Sequence, residues 1–290
     1  MIISEEELSL SDIQKKLVIS GWGSEVYENT IVKKIFYESD GLSVQGYFAS
    51  PVNLQNKLPL IIWNRGGYGN DGKIDDFLAK GMFGEIASWG YTVLASNYRE
   101  KDEFGGSDVN DILNLISLAD EIPVCDSSNI GMEGWSRGGM MTYKVLSISS
   151  KVKCAVIISG LADIFRNIEN WRGLTVIYKK LFGNGNEEEY IKSLKERSAV
   201  NFYERINKQV HVLLIHGTKD EKISFQDSVD MHSKLIASGI DCQLRLIEEG
   251  DHYLKKNKKE TSELRKNWFD SFLKREYKLK LKLKNFYKIN

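Results

Sequence analysis

A serine set between glycines, Gly134-Trp135-Ser136-Arg137-Gly138, follows the short apolar run Ile130-Gly131-Met132 and precedes a helix-like run, Met140 to Leu146. Strand, tight turn and helix in that order build an elbow for a nucleophile. The serine takes a strained backbone position, and the flanking glycines remove side chains that would collide with the incoming strand and outgoing helix. A hydroxyl held this way attacks a carbonyl only if a base takes its proton. The base in turn needs an acid that fixes its tautomer and stabilises the imidazolium.

Four histidines are available. His211 lies inside the apolar run Val210 to Ile215 and reads as a packed strand residue. His216 ends that strand before Gly217 and reads as mainly structural, with support of the site as its other role. His232 falls on the solvent side of a predicted helix, Asp227 to Ala237. His252 is different, because a strand-like run from Leu244 and the turn Gly250-Asp251 put its imidazole on a loop at a strand end. Asp220 follows its own buried strand closely and is preferred as the acid over Glu221, Glu248, Glu249 and Asp251. Glu133, beside the elbow, reads as a supporting or salt-bridged residue. Ser136, Asp220 and His252 then stand in the serine, acid, histidine order of α/β-hydrolases, which is more specific than the pentapeptide alone.

Attack on the carbonyl creates an oxyanion, and each preorganised donor to it is worth roughly 3–4 kcal/mol. The backbone N–H of Arg137 is the first candidate. The second belongs to the loop Arg65-Gly66-Gly67-Tyr68, where glycines leave room for substrate. The donor there is either a backbone amide of Gly66, Gly67 or Tyr68 or the side chain of Arg65.

These residues need a scaffold, and the sequence supplies alternating strands and helices. Residues 31–37 and 42–49 flank Asp40-Gly41, a hairpin signal. Leu58 to Trp63, Tyr91 to Ser96, Lys153 to Ser159 and Val210 to Ile215 are continuous apolar runs, as strands covered on both faces require. Phe83 to Trp89 and Asp108 to Leu118 read as helices between them. The expected architecture is an α/β fold with a mostly parallel central sheet of about eight strands flanked by helices, in which ligands gather beyond the carboxyl ends of the strands. Residues 164–207 break the alternation after the sixth strand and read as a helical, cap-like insertion. Its aromatics Trp171, Tyr178 and Phe182 either form the insertion's own core or wall an acyl pocket.

A chain of 290 residues, 42% hydrophobic and 28% charged, can bury the core of one such domain. Lys plus Arg balances Asp plus Glu at 40 each, so no global field favours nucleic acid, and the expected partner is a small molecule. No apolar run reaches the roughly 18 residues of a membrane span, and the N-terminus lacks a secretory pattern. Stable membrane insertion is therefore not expected. Three scattered cysteines, Cys125, Cys154 and Cys242, fit reduced thiols in the cytoplasm. The stretch Lys274 to Lys284, with its alternating Lys and Leu, reads as an edge strand, a membrane-surface or partner-binding tail or, as is commonest for a terminus, a solvated extension, and residues 276–290 are taken as a basic C-terminal extension.

Asn64-Arg65-Gly66-Gly67-Tyr68-Gly69, Ser96-Asn97-Tyr98-Arg99, Gly134-Trp135-Ser136-Arg137-Gly138-Gly139, Leu214 to Asp220 and Glu248-Glu249-Gly250-Asp251-His252 together resemble the successive motifs of the prolyl oligopeptidase family's catalytic domain, over roughly residues 30–275. The resemblance implies an α/β-hydrolase fold, a Ser136, Asp220, His252 triad, no metal or other cofactor, and hydrolysis of peptide or ester bonds through an acyl-enzyme. Peptidases of that family usually carry a β-propeller ahead of the catalytic domain, for which 290 residues leave no space. Some members place a tyrosine, an oxyanion donor, where this chain has Arg65; others use backbone amides. The expectation is a serine hydrolase acting on a small acyl ester or short peptide, with an exopeptidase or a catalytically silent binding protein as the rival readings.

Overall fold

The computed structural model describes residues 1–170, 172–183 and 185–274. Its strands are β1 (Ile2–Glu7), β2 (Thr30–Ser39), β3 (Leu42–Pro51), β4 (Leu58–Asn64), β5 (Thr92–Ser96), β6 (Cys125–Trp135), β7 (Val152–Ile158), β8 (His211–Gly217) and β9 (Asp241–Ile247). They form one sheet in the order β1-β2-β3-β5-β4-β6-β7-β8-β9. β1, β2, β3 and β5 pair antiparallel, and every pair from β5 to β9 is parallel. Asp40 and Gly41 both have positive φ, 52° and 78°, and close the β2–β3 hairpin between the facing residues Ser39 and Leu42.

Nine strands stand where about eight were expected. The additional one is β1, whose Ile-Ile-Ser-Glu-Glu-Glu has no apolar alternation and is almost wholly exposed. It is held by backbone pairing to β2 and by the ion pair Lys33–Glu5 at 3.2 Å, and its charges mark it as a protected sheet edge. No hydrophobic pattern could announce it.

The helices are α1 (Asp12–Trp22), α2 (Ser24–Glu28), α3 (Asp76–Ser88), α4 (Val109–Leu118), α5 (Arg137–Leu146), α6 (Ile164–Asn170), α7 (Arg172–Phe182), α8 (Glu187–Arg197), α9 (Gln226–Ala237) and α10 (Lys258–Leu273). On one face of the sheet α4, α5 and α9 bury Ile112, Leu115, Met141, Tyr143, Met231 and Leu235. On the other, α3 and α10 bury Phe83, Ile86, Trp268 and Phe269. Two covered faces explain the uninterrupted apolar strands in the middle of the sheet. α3 begins earlier than the apolar run at Phe83 because the Asp75 side chain accepts from the Leu78 N–H and caps a polar first turn. α6, α7 and α8 lie between β7 and β8, where the insertion was expected. Trp171 and the basic extension 276–290 lie outside the described residues.

The chain leaves β4 toward β5 on one side and returns to place β6 on the other side of β4. Strand order therefore reverses between β4 and β6, and a crevice must open beyond their carboxyl ends. Arg65 to Tyr68 follow β4 directly and Ser136 follows β6 directly, so both reach that crevice. Among the described residues no helix is long and apolar enough to cross a membrane.

Candidate active site

Ser136 sits between β6 and α5 with φ 57° and ψ −121°, a left-handed conformation that a residue with a side chain adopts only when its surroundings impose it. What imposes it is backbone on both sides. The Ser136 N–H donates to the Ile158 carbonyl at 2.9 Å, and the Leu161 N–H donates to the Ser136 carbonyl at 3.1 Å. A methyl group on Gly138 would overlap the Asn64 carbonyl at the end of β4, so α5 can dock this closely only with glycine there. The hydroxyl is left half-buried on the wall of a cavity of about 880 Å³.

His252 lines the same cavity. Its Nδ1 lies 2.7 Å from Asp220 Oδ2, and the Asp220 side chain is fully buried. Because a carboxylate can only accept, Nδ1 carries the proton and Nε2 keeps its lone pair. Asp220 Oδ1 accepts from the backbone N–H groups of Lys222 (2.8 Å) and Ile223 (2.9 Å). Burial alone would raise the Asp220 carboxyl, but His216, His252 and the Ile223 amide hold it well below the usual carboxylate range.

His216 is the third group on this carboxylate. Its Nε2 lies 3.1 Å from the Ile223 carbonyl and 3.2 Å from Asp220 Oδ2, while Nδ1 lies 2.7 Å from Ser228 Oγ. A carbonyl only accepts, so Nε2 carries the proton and Nδ1 accepts from the Ser228 hydroxyl. His216 is thus a buried prop for Asp220, as its place at the strand end suggested. His211 stacks on Phe272 at 3.9 Å between ring centres and bonds Asp241 at 2.7 Å. His232 is half-buried on α9, where the pattern had placed it facing solvent. The competing acids are elsewhere: Glu221, Glu248 and Asp251 are exposed, and Glu249 pairs with Lys219 at 3.7 Å. Glu133 is buried against Arg265, 2.8 Å away.

The loop after β4 is organised by two arginines. The Arg65 guanidinium is buried, donates to the carbonyls of Asn97 (3.1 Å), Gly66 (3.0 Å) and Gly69 (3.2 Å), and stacks over Tyr98. Its side chain is therefore turned into the loop and away from the cavity, which corrects its candidacy as an oxyanion donor. The Arg137 guanidinium, also buried, donates to the Gly67 carbonyl at 2.8 Å and to both Asp102 oxygens at 2.7 Å, and it also bonds Asp108. Asp102 accepts from the Gly69 N–H at 2.9 Å and so closes the ring of contacts. Against the effect of burial, Arg137 holds the Asp102 carboxyl below its ordinary value. Among the described residues no backbone hydrogen bond engages the N–H of Gly66, Gly67 or Tyr68, and all three residues line the cavity with Arg137.

The opposite wall carries residues that no motif marked. Leu161 follows β7, Ile177 comes from the insertion, and Ile223 and Tyr253 flank the acid and the base. Ile223 was discoverable, being three residues past Asp220 in the same loop; Ile177 offered no signal. Tyr178 is buried between the rings of Phe104 (5.2 Å), outside the insertion, and Phe182 (6.2 Å), so it packs the insertion onto the main core.

The chain is 28% identical over 209 residues to the uncharacterized peptidase YtmA of Bacillus subtilis (strain 168), spanning 69% of this chain and 78% of that protein. It is 28% identical over 150 residues to dipeptidyl peptidase 4 of Bos taurus, spanning 51% of this chain but 19% of that protein. Among solved structures, Pyrococcus horikoshii acylaminoacyl peptidase superposes with a TM-score of 0.73 at 20% identity, over 86% of this chain and 42% of that one. That likeness establishes the α/β-hydrolase fold. Residues 86–278, which include the elbow, Asp220 and His252, match the prolyl oligopeptidase family model, and the chain belongs to the prolyl oligopeptidase family of serine-type peptidases.

Proposed function

We propose that the chain hydrolyses the acyl bond of a short peptide or small ester through a covalent intermediate on Ser136. His252 Nε2 takes the hydroxyl proton as Ser136 Oγ attacks the carbonyl carbon. Asp220 holds the imidazole in the required tautomer and stabilises the imidazolium. The N–H of Arg137 and the free amides of the 66–68 loop receive the developing oxyanion. The imidazolium then protonates the leaving amine or alcohol, and water, activated by the same nitrogen, releases the acyl group. The observation that carries this reading is the 2.7 Å contact between His252 Nδ1 and Asp220, with His252 and Ser136 on the wall of one cavity.

Short peptides are the favoured substrates, a reading supported by relatives and neighbours named as a dipeptidyl peptidase and an acylaminoacyl peptidase. Esters remain within reach, since the acyl-enzyme is common to both. The insertion serves as a cap, supported by Ile177 on the cavity wall. Three buried thiols support a cytoplasmic enzyme.

Labelling by a fluorophosphonate, followed by turnover of aminoacyl anilides and short acyl esters, tests the proposal. Labelling should vanish in Ser136→Ala and anilides should be cleaved. Folded protein that never labels at Ser136 would establish instead a silent binding protein.

A further inference from the structure

The cavity does not end at Ser136. It continues over the end of the sheet, past Trp135, into a second lobe on the opposite face from the insertion, between the sheet, α1, α3 and the loop before α10. Its walls are Trp22, Trp63, Ile74, Leu78, Met82 and Leu254. Five of these, together with Trp135, belong to or pack on the apolar core under α3 and α10: Trp63, Ile74, Leu78, Met82 and Leu254. Trp63, Ile74 and Leu254 are buried residues of the sheet core, yet they line the same cavity as Ser136, so core-type apolar surface is turned toward the space above the hydroxyl.

The polar atoms beneath the lobe are already satisfied by one another. Glu133 accepts from Trp63 Nε1 at 2.9 Å and from Arg265 Nε at 2.9 Å, and Arg265 Nη1 reaches Glu85 at 3.1 Å. Within this ladder Trp63, Glu133, Arg265 and Glu85 satisfy one another. Trp22 roofs the lobe from α1; it rests on Gly81, where any side chain would strike the indole, and against the edge of Phe77 at 5.8 Å between ring centres. Lys258 lies over its outer face at 3.9 Å. The indole is thus fixed from two sides with part of its surface toward the cavity.

We propose that this lobe binds an extended aliphatic chain of the substrate while its carbonyl is held at Ser136, making the enzyme selective for acyl compounds that carry a long apolar group. The inference rests on the hydrolase reading given above, because it takes Ser136 as the reacting end of the cavity. Methylene burial is worth about 0.8 kcal/mol, so each added carbon that enters the lobe should raise kcat/KM up to about fourfold.

Two ester series test it: p-nitrophenyl esters of acids from acetate to decanoate, and acetate esters of alcohols from ethanol to decanol. The first reads a chain on the acyl side and the second a chain on the leaving side. In one series the ten-carbon member should be preferred over the two-carbon member, and Met82→Trp, which fills the lobe, should lower that preference ratio at least tenfold. A ratio that Met82→Trp and Leu78→Trp both leave unchanged in each series overturns the proposal. A second readout needs no turnover. In Ser136→Ala protein, 12-bromododecanoate should quench tryptophan fluorescence, and Trp22→Phe should remove part of that quenching. Quenching without fluorophosphonate labelling of the wild type would leave the lobe standing and the hydrolase reading fallen. Labelling with neither quenching nor chain-length preference would do the reverse.

Discussion

The indole N–H of Trp135 donates to the backbone carbonyl of His252 at 3.1 Å. Trp135 directly precedes Ser136, the proposed nucleophile, so this bond ties the elbow to the loop that carries His252, the proposed base. The loop needs such ties, because Glu249 and Leu254 on either side of His252 hold positive φ, 55° and 48°, without being glycine. A second set of bonds joins it to the acid: Thr218 and Lys219 donate to the carbonyls of Ile247 and Gly250, both at 2.9 Å. Three loops from three strands are therefore locked together by one side-chain and two backbone hydrogen bonds that do not involve the hydroxyl of Ser136 or the imidazole of His252.

Trp135→Phe removes the indole bond while keeping an aromatic ring on the cavity wall. A hydrogen bond of this kind contributes about 1 kcal/mol, so if it acts through placement of His252 the expected loss is about fivefold in kcat. Fluorophosphonate labelling should slow by the same factor while thermal stability changes little. Equal labelling rates in the two proteins would show that the bond does not position the base.

His216 and Asp220 should separate in their effects. Asp220→Asn keeps the shape but offers His252 an amide, and kcat should fall by about 10³–10⁴-fold. His216→Phe leaves the Ile223 carbonyl and one Asp220 bond unmade in a buried site, at a cost of about 1–3 kcal/mol in stability. Its kcat should fall by roughly tenfold or less, since the Lys222 and Ile223 amides still hold Asp220. Chemical unfolding and steady-state rates on the anilide measure both. A His216→Phe protein as slow as Asp220→Asn would make His216 part of the relay and not its support.

The strand-end positions of Ser136, Asp220 and His252 were legible to different degrees: Asp220 follows β8, whose apolar run is continuous, whereas the elbow follows a short apolar run at the end of β6 and His252 follows the mixed strand β9 by five residues. Burial on both sheet faces writes the β8 signal strongly. Strand ends on one side of a parallel sheet lie together, and Asp220 and His252, expected there from sequence order, are 2.7 Å apart. What stayed hidden lacked any such periodic signature. β1 is a charged edge strand, and the side chains of Arg65 and Arg137 carry no sequence signal that pairs them with Asp102 and Asp108. Trp22 and Met82 are distant in sequence from every motif, and only the packing of α1 on α3 brings them to the cavity.

Two adjacent glycines should respond differently to alanine. At Gly66 a methyl group would lie 3.1 Å from the Trp135 carbonyl and 3.8 Å from Ser136 Oγ, in backbone that any residue can adopt. The neighbours must give by a few tenths of an ångström, so Gly66→Ala should fold and lose about tenfold in kcat/KM as the oxyanion loop shifts. Gly67 has φ 71°, and its methyl group would overlap the Asp71 carbonyl. Gly67→Ala should therefore lose about 1–3 kcal/mol of stability as well as activity. Unfolding midpoints and rates together decide it: a Gly66→Ala enzyme with wild-type rates would place the oxyanion elsewhere.

Asp102 connects activity to acid stability. Its carboxylate faces Arg137 at 2.7 Å and Arg65 at 3.6 Å, all three side chains being buried. Removing its charge leaves two guanidinium groups with Asp108 as the remaining close anion, and Asp102→Asn should cost about 3–5 kcal/mol at neutral pH. The pH dependence follows from the direction of the shift. A carboxyl held below its ordinary value in the folded state contributes stability that is present above the unfolded value of about 3.9 and is lost as pH falls through the folded value. Asp220 adds a contribution of the same sign. Wild-type stability should therefore decline as pH drops below about 4, whereas Asp102→Asn should begin lower and decline less steeply over the same window. Denaturant unfolding at pH 3, 4, 5 and 7 measures both profiles. Parallel curves for the two proteins would show that Asp102 is not the carboxylate on which the Arg137 cluster, and with it the 66–69 loop, depends.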